Sequence, residues 1–162
     1  LHWAGGTTTT QVACHLKLRK HLRIMTNSLN IALELSQNPN IHVTCTGGNA
    51  DGDFYSLTGS VAERALSAHY FDVAVIGVSG ISLEAGLTVS SQANAAVLSI
   101  MIEHSRRCIV VADHSKFGQV CFAHLAPLHQ ISTLVTDIRP NPALYDELRS
   151  AQVNIIVADE LH

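Results

Sequence analysis

Apolar residues along this chain fall into short β-branched runs separated by stretches of helical spacing. Leu1 to Ala4 is a first apolar segment, interrupted by Gly5-Gly6 and Thr7 to Thr10, after which Gln11 to Leu18 reads as a helix. Leu22 to Met25 is strand-like, and Leu29, Ile31, Ala32, Leu33 and Leu35 keep helical spacing until Asn38-Pro39-Asn40 stops them. Ile41 to Thr46 reads as the next strand, ending at Gly47-Gly48. The polar stretch Asn49 to Ser56 reads as a loop and Leu57 to His69 as a helix. The most apolar strand, Phe71 to Ile76, runs into Gly77-Val78-Ser79-Gly80. A loop through Gly86-Leu87-Thr88 then leads to an Ala-rich helix over Ser91 to Ser105. Cys108 to Ala112 and Ile131 to Val135 are further strands, Asn141-Pro142 opens a last helix to Ala151, and Val153 to Val157 closes the series.

Short strands alternating with helices of about ten to fifteen residues predict βαβ units, and hence an α/β fold. The expected architecture is a doubly wound, mostly parallel, Rossmann-like sheet covered on both faces. There is no repeat of fixed period, no low-complexity tract and no long linker, so residues 1–162 are expected to form one domain.

Composition narrows the function. Apolar residues are 47% and charged residues 14% of the chain, which excludes a disordered segment. The net charge of -3 argues against nucleic-acid binding by these residues themselves, and Lys17, Arg19, Lys20 and Arg23 form only a short basic cluster at a helix end. The four cysteines, Cys14, Cys45, Cys108 and Cys121, are far apart and form no CxxC pair, as expected of a reduced, cytoplasmic protein. Ten histidines form no HxH or HExxH pattern. His114, His124 and His129 come nearest to a metal cluster, and neither a metal nor a cofactor is expected. No run reaches the roughly eighteen apolar residues of a membrane span, so no membrane partner is expected. The chain begins without Met and within a strand-like segment, the expectation for a piece of a longer protein.

The chemistry gathers where strands end. Gly5-Gly6-Thr7-Thr8-Thr9, Thr26-Asn27-Ser28, Gly47-Gly48, Gly77-Val78-Ser79-Gly80 and Asp113-His114-Ser115-Lys116 all stand at predicted strand C-termini. In an open parallel sheet those ends share one edge, and ligands bind there. Glycines admit close backbone approach, while Thr hydroxyls and the unpaired N–H groups of a helix start suit a phosphate or sugar hydroxyl. Asn27 and Ser28 would add donors from a second helix start, Lys116 a point charge, and Asp113 a partner for that charge or for a sugar hydroxyl. Each turn has a plainer reading: a Thr or Asn cap, a glycine turn, a surface lysine. It is their common edge that favours a site. Catalysis is not favoured. Isomerisation through an enediol needs a carboxylate base near the substrate carbon, whereas the turn after Ile76 holds none before Glu84. No GxSxG elbow, GxxxxGK[ST] loop or complete GxGxxG is present.

In order along the chain, Gly5-Gly6-Thr7-Thr8, Thr26-Asn27-Ser28-Leu29-Asn30-Ile31-Ala32, Thr46-Gly47-Gly48, Leu57-Thr58-Gly59, Phe71 to Gly77, Gly80-Ile81, Gly86-Leu87-Thr88, Met101-Ile102, Asp113-His114-Ser115-Lys116-Phe117-Gly118 and Thr136-Asp137 resemble the C-terminal effector-binding domain of DeoR-family bacterial transcriptional regulators. The resemblance covers nearly the whole chain. It implies a fold similar to ribose-5-phosphate isomerase and glucosamine-6-phosphate deaminase, and a phosphorylated sugar effector that is bound without turnover. It further implies a winged helix-turn-helix upstream through which alone DNA is contacted, a homo-oligomer, and repression of a carbohydrate-utilisation operon. The alternative reading is an isomerase- or deaminase-like enzyme. Those enzymes carry an acidic run after the strand that contains Asp72, where this chain has Gly77-Val78-Ser79-Gly80. Two departures stand out. Family members commonly carry Asp where this chain has Ala4, and a Glu-Ala-x-x-Lys pattern where it has Asn94-Ala95-Ala96-Val97-Leu98. If those charges contact the effector, a different effector or affinity follows.

Overall fold

The fold is built on strands that are apolar on both sides. In the computed structural model, residues 1–4, 7–16, 19–52 and 55–158 are described, with the backbone alone at His2, Trp3, Thr7 and Thr8. The chain opens with β1 (His2–Trp3), α1 (Thr7–His15), β2 (Leu22–Thr26), α2 (Leu29–Ser36) and β3 (Ile41–Cys45). A hairpin of β4 (Asn49–Asp51) and β5 (Ser56–Thr58) precedes α3 (Ser60–Ser67) and β6 (Ala74–Gly77). A second hairpin, β7 (Gly80–Ser82) and β8 (Gly86–Val89), leads to α4 (Gln92–Glu103) and β9 (Cys108–Val111). The chain ends with β10 (Ala123–Ala126), β11 (Thr133–Thr136), α5 (Pro142–Ser150) and β12 (Asn154–Val157).

Seven strands make one sheet in the order β12-β11-β9-β6-β1-β2-β3, and every neighbouring pair in it is parallel. The fold is therefore α/β with a parallel, Rossmann-like central sheet. Alternate residues feed separate cores. Ala74 and Ile76 of β6, Cys108 and Val110 of β9 and Leu134 of β11 pack with Leu66, Met101, Leu144 and Leu148 from α3, α4 and α5. Val75, Val111 and Ile24 point the other way, into a core with Ala13, Ile31 and Leu35 from α1 and α2. Burial on both faces is why these strands read as unbroken apolar runs. Cys108, 2% exposed, serves as a small hydrophobe, and burial pushes its thiol up to about 12.

Several boundaries differ from the sequence reading. The helix expected from Gln11 begins at Thr7, so the threonines form its first turn; Lys17 and Leu18 lie outside the described residues. Leu57 and Thr58 belong to β5 rather than to a helix, and the stretch from Asn49 contributes β4. The expected loop through Gly86 is β8, which pairs with β7 and with the unforeseen β10 in a small antiparallel sheet. Phe71 meets Ser105 as an isolated bridge before β6 begins. Among the described residues no helix is long and apolar enough to cross a membrane.

The last helix begins as its sequence predicts. Pro142 takes the first helical position, and Asn141 Oδ1 accepts a 3.0 Å hydrogen bond from the Leu144 N–H. Asn141→Ala is expected to cost about 0.5–2 kcal/mol of stability. Urea denaturation reads this directly, and a change below about 0.3 kcal/mol would show the cap to be idle.

Candidate functional site

The sheet order fixes where a cavity must open. From β1 the chain builds outward through β2 and β3, then returns to place β6 on the other side of β1 and builds outward again. At that reversal the loops leaving β1 and β6 diverge and leave a crevice beyond the strand ends. A cavity of about 540 Å³ occupies this place. Ala4, following β1 and held by its N–H to the Val75 carbonyl at 2.9 Å, forms part of its wall, as do Gly77, Val78 and Ser79 after β6. Ala112 and Asp113 after β9 and Ser28 after β2 complete the strand-end contribution.

Three helix starts reach the same cavity. Thr9, Thr10 and Gln11 come from the first turns of α1, Ser28 and Asn30 from the start of α2, and Ser90 and Asn94 from the start of α4. Ser28 caps α2 by accepting from the Ile31 N–H at 3.4 Å, and Ser91 caps α4 by accepting from Asn94 N–H at 3.4 Å. Their remaining unpaired N–H groups and aligned peptide dipoles favour an anion. Lys116 is the one cation on the wall among the described residues, and Asp113 the one carboxylate.

Thr26 and Asn27 stand behind this surface. Thr26 is fully buried, and its Oγ1 accepts from Ser28 N–H at 3.1 Å, which sets the cap. Asn27, 1% exposed, donates from Nδ2 to the Leu57 carbonyl at 3.3 Å, while its Oδ1 has no partner. Since the Leu57 carbonyl requires a donor, the amide orientation is fixed. The Leu57 N–H returns a 2.6 Å bond to the Asn27 carbonyl, so the β4–β5 hairpin is stitched to the start of α2. That docking carries Tyr55 and Ser56 onto the cavity wall.

The turn after β9 is pinned from below. Asp113 caps it, its Oδ1 accepting from Ser115 N–H at 2.9 Å. Hydrogen bonding by Ser115 holds the Asp113 carboxyl below the usual range; partial burial opposes this, and the charge of Lys116 assists it. Asp137, following β11, accepts from the His114 N–H at 2.8 Å and meets the His114 ring at 2.6 Å. Loss of water around Asp137 opposes ionisation, but the bonds from His114 and the Ile138 N–H outweigh it and hold the carboxyl down to about 2. The same contact raises the imidazole above its ordinary 6.5. The imidazole–carboxylate contact therefore contributes stability that is complete below pH 6.5 and is lost as pH rises through the raised value. On the acid side, Asp137 contributes above 3.8 and its share is lost as pH falls through about 2. In Asp137→Asn, NMR titration of His114 should return its midpoint to near 6.5; an unmoved midpoint would mean that Asp137 does not hold the ring.

Of the residues that the sequence pointed to, Thr9, Ser28, Gly77, Ser79, Asp113 and Lys116 line the cavity. Thr7 and Thr8 lie in the first turn of α1, and Gly5 and Gly6 lie outside the described residues. Gly47, Gly48 and Gly80 do not line it. They serve close backbone packing instead: a Cβ at Gly48 would stand 2.4 Å from the Thr58 carbonyl oxygen, and one at Gly80 2.3 Å from that of Gln119. Gln11, Asn30, Tyr55, Ser56, Ser90 and Asn94 were missed. Only the Asp51-Gly52 turn signal pointed to the hairpin that carries Tyr55 and Ser56. His124 and His129 border a smaller cavity of about 230 Å³, to which His114 does not contribute. Among the described residues no group of three or more His, Cys, Asp or Glu is placed to hold a metal ion.

Comparison with known families gives a match to the DeoR C terminal sensor domain over residues 4–138. The chain belongs to this family. The sensor domain is 36% identical over 158 residues to the HTH-type transcriptional repressor GlcR of Bacillus subtilis strain 168, covering 94% of this chain and 59% of that protein. It is 32% identical over 155 residues to the HTH-type transcriptional repressor CsqR of Escherichia coli K12, covering 96% of this chain and 59% of that one. The glycerol-3-phosphate regulon repressor of Escherichia coli K12 is 27% identical over 150 residues, covering 93% and 60%. The sensor domain thus spans about three fifths of the length of these relatives.

Proposed function

We propose that this sensor domain binds a phosphorylated sugar and thereby controls a DNA-binding transcription regulator, a repressor of a carbohydrate-utilisation operon. The observation that carries the reading is electrostatic. The starts of α1, α2 and α4 meet Lys116 around one cavity, against a single described carboxylate, Asp113. A phosphate suits that field. The many hydroxyl and amide groups on the wall suit a polyol, and the unpartnered Oδ1 of Asn27, beside Ser28, offers an acceptor to a hydroxyl group. The volume matches a small-molecule site of about 300–1,000 Å³.

Binding without turnover is part of this reading. Asp113 is already engaged as a cap and held ionised below the usual carboxylate range, which suits an acceptor and not a proton-shuttling base. Asp51, Asp72 and Glu84 do not line the cavity: Asp72 lies 3.8 Å from Arg106 and Glu84 borders the smaller cavity. Asp53 lies outside the described residues. The reading extends the kinship of fold to ribose-5-phosphate isomerase and glucosamine-6-phosphate deaminase while leaving out their chemistry. DNA contact is assigned to a winged helix-turn-helix in the part of the relatives that this chain does not span, in a cytoplasmic homo-oligomer able to read paired half-sites.

A thermal-shift panel of sugar phosphates, free sugars and nucleotides tests the proposal. A ligand at a hundred times its Kd should add about 2.7 kcal/mol. For a chain of this size that is a rise in Tm of roughly 5–10 °C. A shift by free sugars or nucleotides, with none by any phosphorylated sugar, would overturn it.

A further inference from the structure

The cavity has two unlike sides. Its helix starts and the β4–β5 hairpin present hydroxyl and amide groups, whereas its floor is made by Ala4, Val78, Val89, Leu98 and Val111. Each floor residue is between 1% and 8% exposed, so these side chains sit at the bottom and not on the rim. The floor offers no side-chain hydrogen bond, and the Ala4 N–H is already spent on the Val75 carbonyl. A sugar hydroxyl seated there would give up water and receive nothing in return, while a methyl or methylene group would lose nothing. Ala4 and Leu98 are also the positions where the family resemblance leads one to expect charge. Their neutral side chains share one wall with Asn94, the third such position, so the departures along the sequence converge on a single surface.

We infer that the effector is a phosphorylated sugar bearing an apolar substituent, a deoxy carbon or the methyl of an N-acyl group, seated on the floor formed by Ala4 and Leu98. The inference rests on the phosphate reading above and assigns Ala4 and Leu98 as residues that determine specificity. The phosphate takes the polar side, at the helix starts and Lys116. The substituent takes the floor, and the ring between them meets the hydroxyl and amide groups.

Isothermal titration of the full-length protein with matched pairs tests this. Suitable pairs are ribose 5-phosphate with 2-deoxyribose 5-phosphate, glucose 6-phosphate with 2-deoxyglucose 6-phosphate, and glucosamine 6-phosphate with N-acetylglucosamine 6-phosphate. In any pair that binds, the member with the apolar group should bind at least about tenfold more tightly, the discrimination that one buried methylene supplies. Leu98→Gln, of similar volume, should reduce that ratio below about threefold while the parent sugar phosphate still binds. Ala4→Ser adds one oxygen at the same floor and should act in the same direction if Leu98→Gln fails to fold. Parents binding as tightly as their partners, or a ratio unmoved in the folded variant, would overturn this inference and leave the phosphate reading standing. No binding by any phosphorylated sugar would overturn both.

Discussion

Lys116→Ala is expected to weaken effector binding by about 10- to 150-fold, the equivalent of about 1.5–3 kcal/mol for a charge-assisted hydrogen bond. The fold should survive, because Lys116 lies at the end of a short 3-10 turn and contributes nothing to either core. The unliganded variant should stay within about 0.5 kcal/mol of the parent in urea denaturation. The loss should also carry a salt signature. In the parent, affinity should fall with ionic strength, because part of it is charge attraction at a partly open site; in the variant the slope should flatten. Lys116→Arg tests geometry separately. A planar fork is not a compact ammonium, and the turn that positions Lys116 is held at fixed points by Asp113 and Asp137. Unchanged affinity in Lys116→Ala, measured by calorimetry with a ligand found in the panel, would remove Lys116 from the site.

That turn also shows why some of the site was legible along the chain. Asp113 and Lys116 follow Cys108 to Val111, a run so apolar that its end could be placed, and the end of a parallel strand is where ligands gather. Gly77 and Ser79 were found in the same way, from the end of Ala74-Val75-Ile76. The switch between β1 and β6 was not legible, because strand order is set by which helix packs on which face and leaves no local mark. Tyr55 and Ser56 reach the wall only because a three-residue strand docks on the start of α2 through the Asn27 and Leu57 backbones. A strand that short, flanked by polar residues, carries too little periodicity to be seen. The β7, β8 and β10 strands were hidden for the same reason, since their pairing is decided by tertiary contact. Gly48 and Gly80 misled in an instructive way. Each must be glycine, but the close neighbour is the protein's own backbone and not a ligand.

Gly80 supports the largest expected effect on structure and site together. A Cβ there would stand 2.3 Å from the Gln119 carbonyl oxygen, 2.8 Å from its carbon and 2.6 Å from Thr88 Oγ1. Two of these are backbone atoms, so no side-chain rotation relieves the clash, and β7 must move away from the segment after Lys116. That segment is tied to β7 by the 2.8 Å bond from Gly118 N–H to the Ile81 carbonyl and by the Ile81–Phe117 bridge. It is tied to β8 by the 2.9 Å bond from the Cys121 N–H to Thr88 Oγ1. Overpacking of this kind costs about 1–3 kcal/mol, and more where backbone meets backbone. Gly80→Ala is therefore expected to lower urea stability by at least about 2 kcal/mol and to weaken effector binding as well, because the displaced strand carries the Lys116 turn with it. Leu134→Ala separates the two effects. Leu134 is fully buried in β11 and does not line the cavity, so its loss should cost about 2–5 kcal/mol and leave the affinity of the folded fraction unchanged. If Gly80→Ala loses stability while its folded fraction keeps full affinity, the small antiparallel sheet is a support for the core alone, and the position of Lys116 is set by Asp113 and Asp137 without it.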